Sequence, residues 1–266
     1  MHIVKDKRTV LFILLGTFFI ANALIAELIG VKIFSLEKLF GYKPVNWTLL
    51  GQENLSFNLT AGVILWPVVF VMTDIINEYF GRRGVRLLTY IAVGLILYAF
   101  LVFYIGMNLE PADFWPTSHI KPNWSEEYKA EMLSKVSDYN YAFRVVFNQS
   151  NWIIIGSLIA FLFGQMVDVL VFQKIKKITG EKKLWLRATG STLVSQFLDS
   201  FVVLFIAFYI GAGWPLVLVL AIGALNYIYK FVMAVLLTPV IYLVHYIIDG
   251  YLGKEVADEM KLLARN

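Results

Sequence analysis

Ten polar or charged side chains stand at helical spacings inside long apolar stretches of this sequence, where such groups are costly and usually functional. They are Asn22, Glu27, Asp74, Asn77, Glu78, Gln165, Asp168, Gln196, Asp199 and Lys230. Asp74 and Glu78 are four residues apart, and two Gln-x-x-Asp pairs begin at Gln165 and Gln196, so each set shares one helical face. Five of the ten are acids and one is a lysine. This predicts an acid-lined path that binds a cation, protons or a polar solute with hydrogen-bond donors.

The mixture of carboxylates and amides indicates which polar solutes fit. A carboxylate accepts two parallel N–H bonds, and an amide side chain both donates and accepts. Together they suit a planar ligand with adjacent N–H donors and a carbonyl, and aromatic rings could stack on its flat face. A guanine-like heterocycle and several other vitamins meet this description, so the residues alone leave the solute open. The chain has no cysteine, and we expect neither a metal nor a cofactor.

The elements that must position these side chains follow from an apolar composition. Of 266 residues, 59% are hydrophobic, 16% are aromatic and only 16% are charged, whereas an ordinary soluble domain has about 25% charged residues. One water-soluble core could not hide this apolar surface, and the same figures exclude a disordered chain, a fibre and a nucleic-acid-binding module. The sequence therefore predicts an all-α membrane protein, a single polytopic domain over residues 1–266 within the lipid bilayer.

Six apolar runs are each long enough to cross a bilayer, which takes about 20 helical residues. They are Thr9–Ile29, Thr60–Phe80, Val85–Gly106, Asn151–Phe172, Ala188–Ile210 and Leu216–Ile247. The sixth exceeds one straight span, and Pro239 could kink or tilt it. Two long segments on one side, residues 30–59 and 107–150, separate the runs.

The second long segment contains one short helical pattern. Ser125 could cap a helix with two acidic residues in its first turn, and Tyr128, Met132 and Val136 would form its apolar stripe. Such a helix is either a lid over an entrance or an interfacial helix that rests on the bilayer.

Lysine and arginine are unevenly divided between the two sides of the membrane. The side of both termini carries 15 of them, including Lys5, Arg82 and Lys182, and the other side carries 7. Because positively charged loops stay in the cytoplasm, we expect both termini to be cytoplasmic.

Several of the polar residues also have a purely structural explanation. Glu78 could pair with Arg82, and Asp199 with Lys230, in ion pairs that fix the register of the helices. Asn22 could be an interhelical hydrogen-bond partner. The two Gln-x-x-Asp faces lie on sequential antiparallel helices at overlapping depths, and we expect them to face each other across a shared cavity.

Four segments around these residues form a specific pattern. They read Thr73-Asp-Ile-Ile-Asn-Glu-Tyr-Phe-Gly81, Ile159-Ala-Phe-Leu-Phe-Gly-Gln-Met-Val-Asp168, Trp185-Leu-Arg-Ala-Thr-Gly-Ser-Thr-Leu-Val-Ser-Gln-Phe-Leu-Asp199 and Tyr229-Lys-Phe-Val-Met-Ala-Val-Leu-Leu-Thr-Pro239. With them the chain resembles the queuosine precursor transporter family, also called the vitamin uptake transporter family. The resemblance runs from about residue 9 to about residue 247, and the first motif is specific by itself.

The resemblance implies a six-helix protein of the bacterial inner membrane, similar to the substrate-binding subunits of energy-coupling-factor vitamin transporters. It implies uptake of 7-cyano-7-deazaguanine or 7-aminomethyl-7-deazaguanine for salvage of a tRNA modification, with a small purine-like substrate and no nucleic acid as partner. By the same resemblance, motif positions are occupied by Asp74, Asn77, Glu78, Gln165, Asp168, Gln196, Asp199 and Lys230. Family members often carry a Gly and a Pro-Arg pair before the fourth helix, where this chain has Asn148 and Asn151-Trp152.

Two other functions are compatible with the same residues. Paired carboxylates could act as acid and base in a membrane-embedded hydrolase, although the chain has no His-Glu-x-x-His or Gly-x-Ser-x-Gly motif. The chain could also be a binding subunit for another vitamin-like solute that needs a separate ATPase module, since it has no Gly-x-x-x-x-Gly-Lys-Ser/Thr loop. The sequence leaves open which precursor is preferred, what drives uptake and whether the protein forms a homodimer.

Overall fold

The computed structural model describes residues 6–180 and 183–265, so that Lys5 and Lys182 of the charge count lie outside the described residues. The helices are α1 (Lys7–Ile29), α2 (Leu36–Leu39), α3 (Trp66–Met107), α4 (Glu126–Lys135), α5 (Tyr139–Phe147), α6 (Asn151–Thr179), α7 (Leu184–Leu204), α8 (Leu216–Leu252) and α9 (Lys254–Leu263). The four strands are β1 (Ile33–Ser35), β2 (Trp47–Leu49), β3 (Gln52–Leu55) and β4 (Asn58–Thr60).

Five helical stretches of the described chain are long and apolar enough to cross a membrane. They are Lys7–Ile29, Trp66–Met107, Glu126–Thr179, Leu184–Ile210 and Leu216–Leu252. This confirms the all-α membrane fold class. The fifth predicted run begins as a helix at Leu184 rather than Ala188, and its last part, Phe205–Ile210, is π-helical.

The four strands lie between α1 and α3 and form two small antiparallel pairs, which we call the strand segment (residues 33–60). β1 pairs with β4, and β2 pairs with β3. Thr60 therefore ends a strand, and Ala61–Ile64 is a 3₁₀ turn in which a Cβ at Gly62 would lie 2.5 Å from the Ala26 carbonyl oxygen. The second predicted run thus starts as an α-helix only at Trp66 instead of Thr60, because strand pairing holds Thr60 in extended form and the next four residues form the 3₁₀ turn.

A buried carboxylate ties the strand segment together. Glu37 accepts hydrogen bonds from the Phe57 backbone N–H at 2.9 Å and from the Ser35 hydroxyl at 2.9 Å. Burial alone would raise the pKa of Glu37, but the hydrogen bonds from Phe57 and Ser35 outweigh burial and hold its pKa below the ordinary value. The ionised form of Glu37 is therefore the form that fits this site.

Helix α3 contains the second predicted run from Trp66 onward and the whole third run, and it is interrupted at Gly81, whose φ of 65° and ψ of −172° are not helical. Helix α3 starts near the C-terminal end of α1. Its Phe80 packs against Phe12, near the N-terminal end of α1, with ring centroids 4.9 Å apart. Beyond the break, Leu88 packs against Gly16, one turn back along α1. The chain therefore turns back at Gly81, and the two halves of α3 run in opposite directions along α1. The total of six membrane spans stays a prediction.

The chain divides into two compact units, Met1–Gly94 with Trp152–Asn266 and, separately, Leu95–Asn151. The smaller unit contains α4 and α5. The single domain over residues 1–266 stays a prediction.

Helix α4 of the smaller unit begins where the sequence predicts it. The Ser125 side chain accepts a hydrogen bond from the Tyr128 N–H at 3.3 Å, and the first turn carries two acidic residues. The helix ends at Lys135, so Val136 of the predicted stripe lies just beyond it. Whether α4 is a lid or an interfacial helix stays open.

Several basic parts of the chain meet at one end of the larger unit, which we call the basic end. Arg8 at the start of α1 forms an ion pair with Glu259 of α9. Near the end of α6, Lys176 donates to the Lys261 carbonyl of α9 at 3.1 Å. The break at Gly81 packs against the residue that follows α9. The segments that the charge count places on one side therefore do lie together, and the side of the membrane that they face stays a prediction.

The apolar core of the larger unit lies between α1, α3, α6, α8 and α9. Fully buried Phe19 and Ile75 belong to one cluster with Phe161 and Ile248. Helix α7 packs most extensively against α8. This packing places the polar faces of α3, α7 and α8 next to one another.

Candidate functional site

A cavity of about 450 Å³ lies between α3, α7 and α8. Its polar lining residues are Asp74, Thr189, Thr192, Gln196, Tyr229 and Lys230. The apolar wall includes Trp66 and Phe70. An apolar cleft with a few convergent polar groups is the arrangement expected of a ligand site.

Asp74 supplies the carboxylate of the cavity and is 1% exposed. The hydroxyls of Ser191 and Thr192 on α7 donate to its two oxygens at 3.4 Å and 3.2 Å. Both contacts are long, and a carboxylate has about four acceptor positions. Asp74 can therefore accept further hydrogen bonds from a solute.

Gln196 lies on α7 one turn beyond Thr192 and is 4% exposed. Its Nε2 finds no hydrogen-bond acceptor among the residues that the structure describes. A buried amide donor without an acceptor carries a desolvation penalty that a solute carbonyl would remove. Asp74 and Gln196 thus offer acceptors and a donor to the same cavity.

Lys230 and Asp199 form an ion pair between α8 and α7. Lys230 lines the cavity, whereas Asp199 stands behind it and is absent from the lining. The pairing anticipated from the sequence is therefore present, and it leaves Lys230 at the cavity wall.

The other Gln-x-x-Asp pair, on α6, lies outside this cavity. Gln165 accepts a hydrogen bond from the Thr73 hydroxyl at 2.9 Å, and Asp168 accepts one from the Ser195 hydroxyl at 3.0 Å. The two pairs were expected to face each other across a shared cavity, and this expectation is wrong. Helices α6 and α7 meet directly, because the residues between them are small. Ser195 has a short side chain, and Gly164 has no Cβ, which would lie 3.8 Å from the Asp199 Cβ.

Glu78 belongs to a buried ion cluster toward the basic end. Its carboxylate accepts hydrogen bonds from Arg187 Nε at 3.1 Å and Nη2 at 2.7 Å, and Lys176 Nζ lies 3.3 Å away. Arg82, the alternative partner that the sequence offers, is exposed and forms no ion pair with Glu78 among the described residues. Gly81 interrupts the helix between the two residues, so they do not share a continuous helical face.

The remaining candidates stand apart from the cavity lining. The Asn77 side-chain oxygen accepts a hydrogen bond from Gln173 at 2.7 Å. The Asn22 amide donates to the Phe18 carbonyl of its own helix at 2.8 Å. Glu27, which is buried near the strand segment, accepts a hydrogen bond from Ser157. Of the ten candidates, Asp74, Gln196 and Lys230 line the cavity.

Comparison with known proteins now decides the family. A family model described as "Putative vitamin uptake transporter" matches residues 60–244, more than half of the chain. The chain belongs to this family. It is a multi-pass membrane transporter, not an enzyme, and the hydrolase alternative is therefore excluded.

Three curated relatives are similar to this transporter. A "Probable queuosine precursor transporter" of Bacillus subtilis (strain 168) is 29% identical over 191 residues, 71% of this chain and 73% of the relative. One of the same name from Haemophilus influenzae (strain ATCC 51907 / DSM 11121 / KW20 / Rd) is 26% identical over 198 residues, 71% of this chain and 70% of the relative. The "Queuosine precursor transporter" of Escherichia coli (strain K12) is 23% identical over 218 residues, 79% of this chain and 81% of the relative. No solved structure is significantly similar to the chain.

The transporter cavity also contains residues that the polar pattern did not single out. Thr189 and Thr192 precede Gln196 on α7 by seven and four residues, which places all three on one helical face. A scan for acids and amides passes over hydroxyl groups, although their spacing carries the signal. Arg187, counted as a loop residue for orientation, is buried inside α7 and binds Glu78.

Proposed function

We propose that this transporter takes up 7-deazaguanine precursors of queuosine, either 7-cyano-7-deazaguanine or 7-aminomethyl-7-deazaguanine, for salvage of a tRNA modification. The names of the three curated relatives support this substrate class. The observation that carries the proposal is the presence of Asp74 and Gln196 in one cavity, beside the aromatic residues Trp66 and Phe70.

The polar edge of a 7-deazaguanine ring is complementary to these two side chains. That edge has two adjacent N–H donors and a neighbouring carbonyl. We assign Asp74 to accept the two N–H bonds, since a carboxylate binds parallel donors in this way. We assign the unpaired Gln196 Nε2 to donate to the carbonyl. Trp66 and Phe70 would contact the ring plane.

The ion pair behind the cavity contributes by its charge. Lys230 lines the cavity and is held by Asp199. The ion pair thus places a positive charge at the wall of the cavity.

We place the transporter in the bacterial inner membrane with the basic end and both termini in the cytoplasm. The excess of Lys and Arg on that side supports this orientation. The contacts of α9 with α1 and α6 also support it, because they hold these basic segments at the same end.

Uptake by intact cells tests the proposal directly. A bacterium that lacks its own precursor synthesis and its own transporter should form queuosine in its tRNA only when it expresses this protein and receives an external precursor. Gln196→Ala and Asp74→Asn should each lower initial uptake of the labelled precursor at least about tenfold, since each loses one buried hydrogen bond to the ring.

Val194→Ala is the matched control, because Val194 is on the same helix, two residues before Gln196, and is 45% exposed. It should transport as the unchanged protein does at equal membrane level. Full uptake by both Gln196→Ala and Asp74→Asn would overturn the site assignment. Binding of another vitamin by the purified protein, without displacement by either precursor, would overturn the substrate assignment.

Reconstitution of the purified chain alone in vesicles addresses its partners. Uptake of precursor with a proton gradient and no ATP would indicate autonomous transport. Binding without uptake would indicate that the chain needs a separate ATPase module, as energy-coupling-factor substrate-binding subunits do.

A further inference from the structure

A second crevice, of about 300 Å³, lies between the second half of α3 and α6. Its lining residues are Arg82, Val85, Arg86, Thr89, Tyr90, Leu162, Gln165, Met166 and Val169. On each helix these positions recur every three or four residues, so the crevice is bounded by two facing helical stripes. The stripe on α3 covers nine residues and the stripe on α6 covers eight, about 12 Å and about 10 Å along their helices.

The crevice opens on the outer surface of the helix bundle. Tyr90 is 61% exposed and Met166 is 46% exposed, whereas Val85 and Val169 at its floor are buried. On a membrane-spanning segment this surface faces lipid. An apolar crevice that faces the hydrocarbon is filled by an acyl chain, because water has too few polar partners there.

Two arginines stand at the basic end of the crevice. Arg82 and Arg86 are four residues apart on one face of the helix, both are exposed, and neither forms an ion pair with another described residue. Arginine binds phosphate oxygens through paired N–H groups. The membrane boundary at the basic end is where the phosphates of one lipid leaflet lie.

Inside the crevice stands a buried donor without an acceptor. Gln165 is 2% exposed, and its oxygen accepts the bond from Thr73 while its Nε2 has no acceptor among the described residues. Gln165 lies near the middle of the α6 stripe, about 5 Å along the helix from either end. An acceptor for this amide is therefore missing about halfway along the crevice.

We propose that this crevice is a binding site for one anionic phospholipid of the leaflet at the basic end. Arg82 and Arg86 bind the headgroup phosphate. The Gln165 Nε2 donates to an ester carbonyl. One acyl chain lies along the floor formed by Val85 and Val169.

The test measures lipid binding to the purified protein by native mass spectrometry after exchange into lipid-free detergent. Phosphatidylglycerol and phosphatidylcholine with the same acyl chains are added separately. We expect phosphatidylglycerol to bind at least about tenfold more tightly than phosphatidylcholine, and Arg82→Gln with Arg86→Gln to remove this preference. Arg83→Gln is the matched control, since Arg83 lies in the same turn and outside the lining, and it should keep the preference.

A lipid without ester groups tests the role of Gln165 in the unchanged protein. Ether-linked phosphatidylglycerol has no ester carbonyl, so the unchanged protein should bind it more weakly than the ester-linked lipid. The Gln165→Leu variant should lose affinity for the ester-linked lipid by the same factor. Gln165→Leu should bind both lipids equally. Equal affinity of the unchanged protein for ester-linked and ether-linked lipid would overturn the role of Gln165.

Two further results would overturn the lipid site as a whole. One is equal binding of phosphatidylglycerol and phosphatidylcholine. The other is displacement of phosphatidylglycerol by millimolar inorganic phosphate, which would show that the arginines bind free phosphate without the acyl chain.

Discussion

Replacing Glu78 by glutamine removes the negative charge at the centre of the buried ion cluster while keeping the size of the side chain. Glu78 is fully buried, and it holds Arg187 through two hydrogen bonds of 3.1 Å and 2.7 Å and Lys176 at 3.3 Å. Removing one partner of a buried ion pair costs about 3–5 kcal/mol. We expect the free energy of unfolding of Glu78→Gln to fall by about that amount.

The measurement is chemical unfolding of the purified protein in lipid-free detergent. Arg187→Gln removes the bidentate partner and should also cost about 3–5 kcal/mol. Arg82→Gln is the control, because Arg82 is nearer to Glu78 in sequence but is exposed and outside the cluster. Its free energy of unfolding should stay within about 0.5 kcal/mol of the unchanged protein.

Two results would refute this reasoning. One is a loss of less than about 1 kcal/mol for Glu78→Gln, which would mean that the carboxylate is not engaged as the structure has it. The other is an equal loss for Arg82→Gln and Arg187→Gln, which would restore the pairing expected from the local sequence.

Three further predictions concern the turn, the strand segment and the orientation. Gly81→Ala should lower the free energy of unfolding by about 1–3 kcal/mol, because the φ of 65° at Gly81 suits only glycine. Gly94→Ala is the control: a Cβ at Gly94 would meet open space, so this variant should be neutral or stabilising in the same assay. Hydrogen bonds hold the pKa of folded Glu37 below its unfolded value of 4.5. The stabilisation by ionised Glu37 is therefore present above about pH 4.5 and is lost as the pH falls through the folded pKa. Hydrogen exchange in the strand segment should become faster as the pH falls through that pKa, and Glu37→Gln should abolish this pH dependence. In right-side-out vesicles, a membrane-impermeant thiol reagent should label Thr48→Cys at once and Arg83→Cys only after permeabilisation; the reverse order would contradict the proposed orientation.

The long helices could be predicted from the sequence because the bilayer imposes a length that apolar runs reveal. The fourth run and α6 both begin at Asn151, and the first run and α1 both end at Ile29. The strand segment was not predicted, since its strands of three or four residues are too short to show an alternating pattern. Thr60 was assigned to a helix because apolar residues follow it directly, whereas pairing with Ile33 decides its conformation.

The polar site was predicted only in part, because spacing reveals a shared face but not the helix that the face meets. Asp74 and Gln196 do reach one cavity. Gln165 has the same spacing to an acid as Gln196, yet its helix packs so that it lines a different crevice. The partner of Glu78 is 109 residues away in the sequence, beyond the reach of any local pattern.

The ion cluster also determines what must move when a solute crosses the membrane. Asp74 and Glu78 are four residues apart on α3, about 6 Å along the helix. A solute that passes from the cavity to the basic end must therefore cross the layer in which Arg187 holds Glu78 and then the contacts of α9. These groups are buried and bonded to one another, so the described structure is closed on this side of the cavity. Passage requires a conformational step that separates them. The contacts that stabilise the basic end are thus also the barrier that transport has to open.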